Sequence, residues 1–279
     1  MVKIVADTTS GLPHELLKTL GIALIPQIVC FGEDSYRDDT ELDTAAFLQK
    51  LKAATELPKT AAPPPALYHP IFEQALKEGE DVIVVAPSGK VSGTVRSAEV
   101  AAQDFPNLKV HVVDTQTIAG NLASLVLLAH GWACEGAKTD TILSRLHEWI
   151  PRGHIFFLVD TLEYLQKGGR IGGAKALLGE MLQIKPILCL QNGQVEPFEQ
   201  QRTKRRALKR LLEVVDEECP KGMDAHLCVM QADAAQEAGL LAEDLKSRML
   251  IQTIPIYELP PAIVTHGGPG VLGIGYFVP

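Results

Sequence analysis

The sequence predicts an α/β fold in two domains, residues 1–150 around a mainly parallel sheet and residues 151–279 around a mixed sheet. Three observations carry that reading. Through the first half, short apolar runs alternate with amphipathic stretches, the pattern of strand–helix–strand units with helices on the faces of a parallel sheet. In the second half, Asn192-Gly193 stands between two apolar runs, the pattern of an antiparallel hairpin. A chain of 279 residues is long enough to bury two cores.

Val2 to Ala6 is an apolar run followed by Asp7-Thr8-Thr9-Ser10-Gly11-Leu12-Pro13, small polar residues and a proline that open a helix or line a crevice at the strand end. Ile22 to Phe31 reads as the next strand. Asp43 caps an amphipathic helix to Ala54, and another helix runs from Ala66 to Glu78. Between them lies Lys59-Thr60-Ala61-Ala62-Pro63-Pro64-Pro65. Consecutive prolines fix φ and remove donors, so this loop is stiff, either as a linker or as a mount presenting the Thr60 hydroxyl. Asp81 to Ala86 is a strand, Ser92-Gly93-Thr94 opens a helix to Phe105, Lys109 to Asp114 is a strand and Thr117 to Cys134 a helix.

In the second half, the strand His154 to Asp160 leads into Lys167-Gly168-Gly169-Arg170-Ile171-Gly172-Gly173. Ile184 to Leu190 and Gln194 to Glu199 form the hairpin, and Thr203 to Glu218 is a helix. Strands near His226 to Gln231 and Gln252 to Glu258 flank a further helix. A terminal strand pair is expected around Thr265-His266-Gly267-Gly268-Pro269-Gly270.

A net charge of -8 argues against binding the phosphate backbone of nucleic acid. The basic run Arg202-Thr203-Lys204-Arg205-Arg206 is either a solvated helix face or a docking surface for an acidic partner. Five scattered cysteines without a CxxC pair suggest neither a disulfide framework nor a metal site. No apolar run approaches the ~18 residues of a membrane span, and the chain reads straight into a strand, so the expected location is the cytoplasm.

Ser92 sits where unpaired helix amides and the dipole favour an anion, Arg170 can clamp a carboxylate or phosphate, and His266 is either a turn histidine or a titratable group at the site. No nucleophile elbow, His-Glu-x-x-His or dinucleotide fingerprint is present, which points to binding more than catalysis. The competing expectation is an independent hydrolase or phosphotransferase using His266 and Arg170.

Taken together, Val5-Ala6-Asp7-Thr8-Thr9-Ser10-Gly11-Leu12-Pro13, Ser92-Gly93-Thr94 with Ser97-Ala98, Val113-Asp114-Thr115, Thr161-Leu162-Glu163-Tyr164-Leu165 with Lys167-Gly168-Gly169-Arg170-Ile171, Lys185-Pro186-Ile187-Leu188 and Thr265-His266-Gly267-Gly268-Pro269-Gly270 resemble the DegV family. The resemblance implies a DegV-like fold, with an N-terminal three-layer α/β/α domain and a C-terminal two-layer α/β domain. It also implies a long-chain fatty acid such as palmitate bound between them, its tail in an apolar tunnel and its carboxylate on Thr60 and Ser92. Gly93, Thr94, Arg170 and His266 would surround the head group. The chain would act as a monomer without cofactor or metal, handing the acid to a separate fatty-acid kinase that Arg202 would contact. One departure stands out: Ala61 and Ala62 occupy positions where the family carries Ser and Gln, removing a carboxylate donor.

Overall fold

The computed structural model describes residues 2–180 and 184–279. Its first sheet is parallel and four-stranded, built from β1 (Val2–Asp7), β2 (Ala23–Ile25), β6 (Asp81–Ala86) and β7 (Val110–Asp114) in the order β2-β1-β6-β7. Period-two side chains send Ile4 and Ala6 to one face and Val5 to the other. Helices α5 (Ala119–Cys134) and α6 (Thr139–Trp149) cover the first face, while α3 (His69–Glu78) and α4 (Thr94–Gln103) cover the second. Every residue of α5 from Ala119 to Val126 is buried, as expected of a helix that is apolar all round. It lies between this sheet and the next, packing on β1 as well as on the second sheet.

That second sheet has six strands: β8 (Gly153–Leu158), β9 (Lys185–Gln191), β10 (Gln194–Gln201), β11 (Cys228–Gln231), β12 (Ile256–Glu258) and β13 (Leu272–Phe277), ordered β10-β9-β8-β13-β11-β12. One parallel pair, β11 with β12, makes it mixed. Helices α8 (Lys204–Glu218) and α9 (Ala235–Met249) seal one face through Leu211, Val215, Leu241 and Leu245. The opposite face looks toward α5. Asn192 and Gly193 turn the β9–β10 hairpin with φ of 49° and 81°, the left-handed pair that an Asn-Gly turn supplies at little cost.

Three expectations need correction, and one helix is unanticipated. The run Ile22 to Phe31 is two strands, β2 and β3 (Ile28–Phe31), broken at Pro26-Gln27 and belonging to different sheets. β3 pairs with β4 (Asp34–Arg37) and with β5 (Lys59–Ala61), so Thr60 sits on a short strand ahead of the prolines, mounted on a sheet and not in a stiff linker loop. The terminal strand pair is instead a helix, α10 (Pro261–Gly267), followed by the single strand β13; Pro261 at the first helical position suits a helix start. Helix α6 has no counterpart in the sequence reading. The remaining helices are α1 (His14–Leu20), α2 (Thr44–Ala53), capped by the Asp43 side chain on the Ala46 amide, and α7 (Glu163–Lys167).

Candidate functional site

A cavity with an empty volume of about 920 Å³, part of it open to solvent, lies between the loops of the first sheet and the free face of the second. Its apolar walls come from the start of α5 (Ile118, Ala119), from β8 (Ile155, Phe157) and from Met230, Val195 and Ile263. Its polar lining is Thr9, Gln27, Thr60, Ser92, Arg170 and His266. The lining suits a small, mostly apolar ligand with one polar end.

Thr60 is held on β5 opposite Val29, and the proline segment after it is tied down where Ser97 donates to the Pro63 carbonyl. Thr60 Oγ1 lies 2.7 Å from His266 Nε2 on α10, although 206 positions separate the two residues. Burial, then the charge of Arg170, pushes the His266 pKa down to about 4, so the ring is neutral near pH 7. Its Nδ1 is buried without a partner. A proton on Nδ1 would bury an unpaired N–H, so the tautomer that costs less carries its proton on Nε2; in it His266 donates to Thr60 and leaves the threonine O–H free to donate into the cavity. The imidazole fits because residue 168 is glycine: a Cβ there would collide with Nδ1 and stand 3.0 Å from Cε1.

Ser92 lines the cavity one residue ahead of the α4 cap, which is Gly93, and does not itself cap the helix. Its Oγ accepts from the Thr94 amide at 3.3 Å and lies 2.9 Å from Thr94 Oγ1. Thr94 is buried behind it, donating to Asp7 Oδ2 at 3.1 Å and accepting from Gln27 Nε2 at 2.8 Å. With the Thr94 proton on Asp7, the Ser92 hydroxyl donates to Thr94 until a stronger acceptor enters. Gly93 lines the same edge, and a Cβ on it would lie 3.1 Å from the Ala62 methyl, so this glycine lets the two loops meet.

Arg170 reaches the cavity but spends Nε on the Val91 carbonyl at 3.0 Å and Nη1 on the Gly168 carbonyl at 2.7 Å. It braces the Ser92 loop more than it offers a free clamp, and burial lowers its pKa. The same loop is held by Ser88, whose Oγ donates to the Gly193 carbonyl at 2.6 Å. Arg202 is exposed just before α8, away from the cavity lining.

Two polar residues escaped the sequence reading. Gln27 lines the cavity and donates to Asp7 Oδ2 at 2.7 Å as well as to Thr94. Asp38 accepts from Thr8 Oγ1 and the Gln27 amide, both at 2.8 Å, while its Oδ2 is buried without a partner. Burial raises Asp7 to about 6 against its hydrogen bonds, and burial with the neighbouring Asp7 charge raises Asp38 to about 7. The only local signal for Gln27 is the proline before it, which breaks the strand there.

No group of three or more metal-ligating side chains lies together among the described residues. Among the described residues no carboxylate bonds His266, whose Nδ1 is without a partner, so the geometry lends the hydrolase expectation no support. None of the helices among the described residues is long and apolar enough to cross a membrane.

Two α/β sheets enclosing an apolar cavity, with linked hydroxyls and a neutral imidazole on one side, define a protein built to bind a small amphipathic ligand. The chain belongs to the DegV family: the model of that family, described as an uncharacterised protein, matches residues 1–278. It is similar to protein DegV of Bacillus subtilis, 32% identical over 274 residues and 98% of both chains. A DegV domain-containing protein of Halalkalibacterium halodurans is 33% identical over 278 residues, covering 99% of this chain and 98% of that one. Among solved structures it is similar to a DegV family protein from Thermus thermophilus described for fatty acid binding, with TM-score 0.88, 34% identity and coverage of 100% and 99%. The fatty acid binding protein DegV from Bacillus subtilis aligns with TM-score 0.89, 31% identity and the same coverage.

Proposed function

We propose that this chain binds one long-chain fatty acid, such as palmitate, between an N-terminal domain of residues 1–150 and a C-terminal domain of residues 151–279. The observation that carries the reading is the cavity itself, apolar along its walls and provided with hydroxyl donors on one side. Thr60 and Ser92 donate to the carboxylate. The neutral His266 keeps the Thr60 proton free, Arg170 holds the Ser92 loop, and Gly93 and Thr94 complete the head-group surround. The fatty acid binding relatives in Thermus and Bacillus support the ligand class.

Burial of the tail supplies the affinity. Each methylene contributes about 0.8 kcal/mol, so roughly fifteen contribute on the order of 10 kcal/mol before ordering costs. The hydroxyls set orientation and offset part of the cost of desolvating the carboxylate.

The chain carries out no reaction alone in this reading. It works in the cytoplasm as a monomer without cofactor, and presents the acid to a separate ATP-using fatty-acid kinase through a surface that includes Arg202. Denaturing extraction of the purified protein followed by lipid mass spectrometry tests the binding, with Thr60→Ala, Ser92→Ala alongside. A stoichiometric fatty acid, reduced in the double variant, is expected. A protein that arrives empty and ignores added palmitate overturns the proposal.

A further inference from the structure

The floor of the cavity is a strand with side chains missing. Because strand residues alternate, β13 and the residue before it turn Val271, Gly273 and Gly275 to one face. Val271 lines the cavity and packs Cγ2 against Gly267, the neighbour of His266, which places it at the head-group end. Gly273 lines the cavity roughly 7 Å farther on, at ~3.4 Å per residue. At Gly275 the space for a side chain is already taken by Asn121 Oδ1 from α5, with Cys228 Sγ 3.2 Å away. Asn121 is fully buried and its Nδ2 donates to the His154 carbonyl at 3.0 Å, so this plug is held in place.

The row beside the plug is Met230, Gly273 and Phe157, cross-strand partners on β11, β13 and β8 that all line the cavity; in the next row Ile155 still lines it, while Asn121 stands over its partner Gly275. A glycine between two large side chains leaves a dent, and strand glycines often mark a close approach of ligand to backbone. A methyl on Gly273 would fill that dent, standing 3.2 Å from Phe157 Cβ and 3.3 Å from Met230 Cε. Met230 Sδ accepts the Gly120 amide at 3.2 Å, so the thioether is anchored at its middle while its terminal methyl borders the dent.

We infer that Gly273 and Met230 determine acyl chain length, the dent between them taking up part of the tail beside the Asn121 plug. The inference rests on the fatty-acid reading. Gly273 sets how deep the tail goes, and Met230, unbranched and adaptable, sets how wide its end is.

The test titrates wild type, Gly273→Ala and Met230→Ala with lauric, myristic, palmitic and stearic acids. Each methylene kept out of the cavity weakens binding about fourfold. Gly273→Ala is therefore expected to weaken the longest acid that wild type holds by about fourfold or more relative to the shortest. Met230→Ala is expected to move the optimum to a longer acid. If the added methyl, 3.1 Å from the Phe156 carbonyl, prevents Gly273→Ala from folding, Met230→Ala decides alone. An unchanged ranking of the four acids in Met230→Ala overturns the inference and leaves fatty-acid binding standing. Wild type that binds none of the four overturns the reading beneath it.

Discussion

The two ends of the cavity are made differently. At the polar end, Thr60, Ser92, Gln27 and His266 sit on a short strand, loops and a helix, and each is held by a hydrogen bond to another polar group. At the other end, the wall is the backbone of a central strand, shaped by which side chains are absent. The difference teaches where each end is sensitive: the polar end to removal of single atoms, the glycine end to their addition.

The largest expected effect joins both rules, because Gly168 makes room for a polar group. Gly168→Val drives a side chain into His266 and toward the Tyr164 carbonyl, 2.9 Å from the added Cβ. Overpacking of this kind costs about 2 kcal/mol. Urea unfolding should register it, with loss of retained fatty acid; unchanged stability and loading would detach His266 from the site.

Next come the hydroxyls. Thr60→Ala and Ser92→Ala each remove one donor, worth about 1.5 kcal/mol to a charged acceptor, or roughly tenfold in Kd. Calorimetry with palmitate checks this, and single variants that bind like wild type would show that the carboxylate lies elsewhere.

Ser88→Ala is a smaller change at a distance from the ligand. It removes the bond to the Gly193 carbonyl and costs about 1 kcal/mol of stability. If thermal unfolding is unaltered, the hairpin tip does not brace the Ser92 loop.

Asp38 offers a pH-dependent comparison. Its folded pKa of about 7 lies above the ordinary 3.8, so the folded chain holds a proton that the unfolded chain releases. Stability is fully present below pH 3.8 on this account, is lost as pH rises toward 7, and levels off above. Asp38→Asn removes that loss. Melting temperatures between pH 4 and 8 should slope less in the variant than in wild type, and parallel slopes would contradict the raised pKa. The smallest effect is Arg202→Ala, an exposed substitution expected to change stability by less than about 0.5 kcal/mol and palmitate affinity not at all. On the proposed kinase contact, its loss should register only when a fatty-acid kinase and ATP are added; an unchanged rate of acyl phosphate formation would sink that contact.

Much of the fold is legible in the sequence where local chemistry decides it. The Asn192-Gly193 turn, the Asp43 cap of α2 and the Thr203 cap of α8 all follow from side chains acting within three residues. The strand break at Pro26-Gln27 is harder to read, since apolar residues continue on both sides and only pairing reveals that β2 and β3 enter different sheets. Helix α10 is short and ends in glycines, so turn composition outweighs the weak helix signal at Pro261. Ser92, Arg170 and His266 stand out by residue type and setting. Gln27 and Asp38 do not, because an amide inside an apolar run and an acid just beyond it look like ordinary solvent-facing residues until burial is known.

By itself the sequence determined the local turns, caps and alternating runs, and with them the α/β class, because those depend on backbone dihedrals and contacts a few residues long. Only the tertiary structure decided that Thr60 meets His266 and that Asn121 fills the space over Gly275. Those contacts join residues far apart in the chain, and their geometry exists only once two sheets have packed around α5 and left a cavity between them.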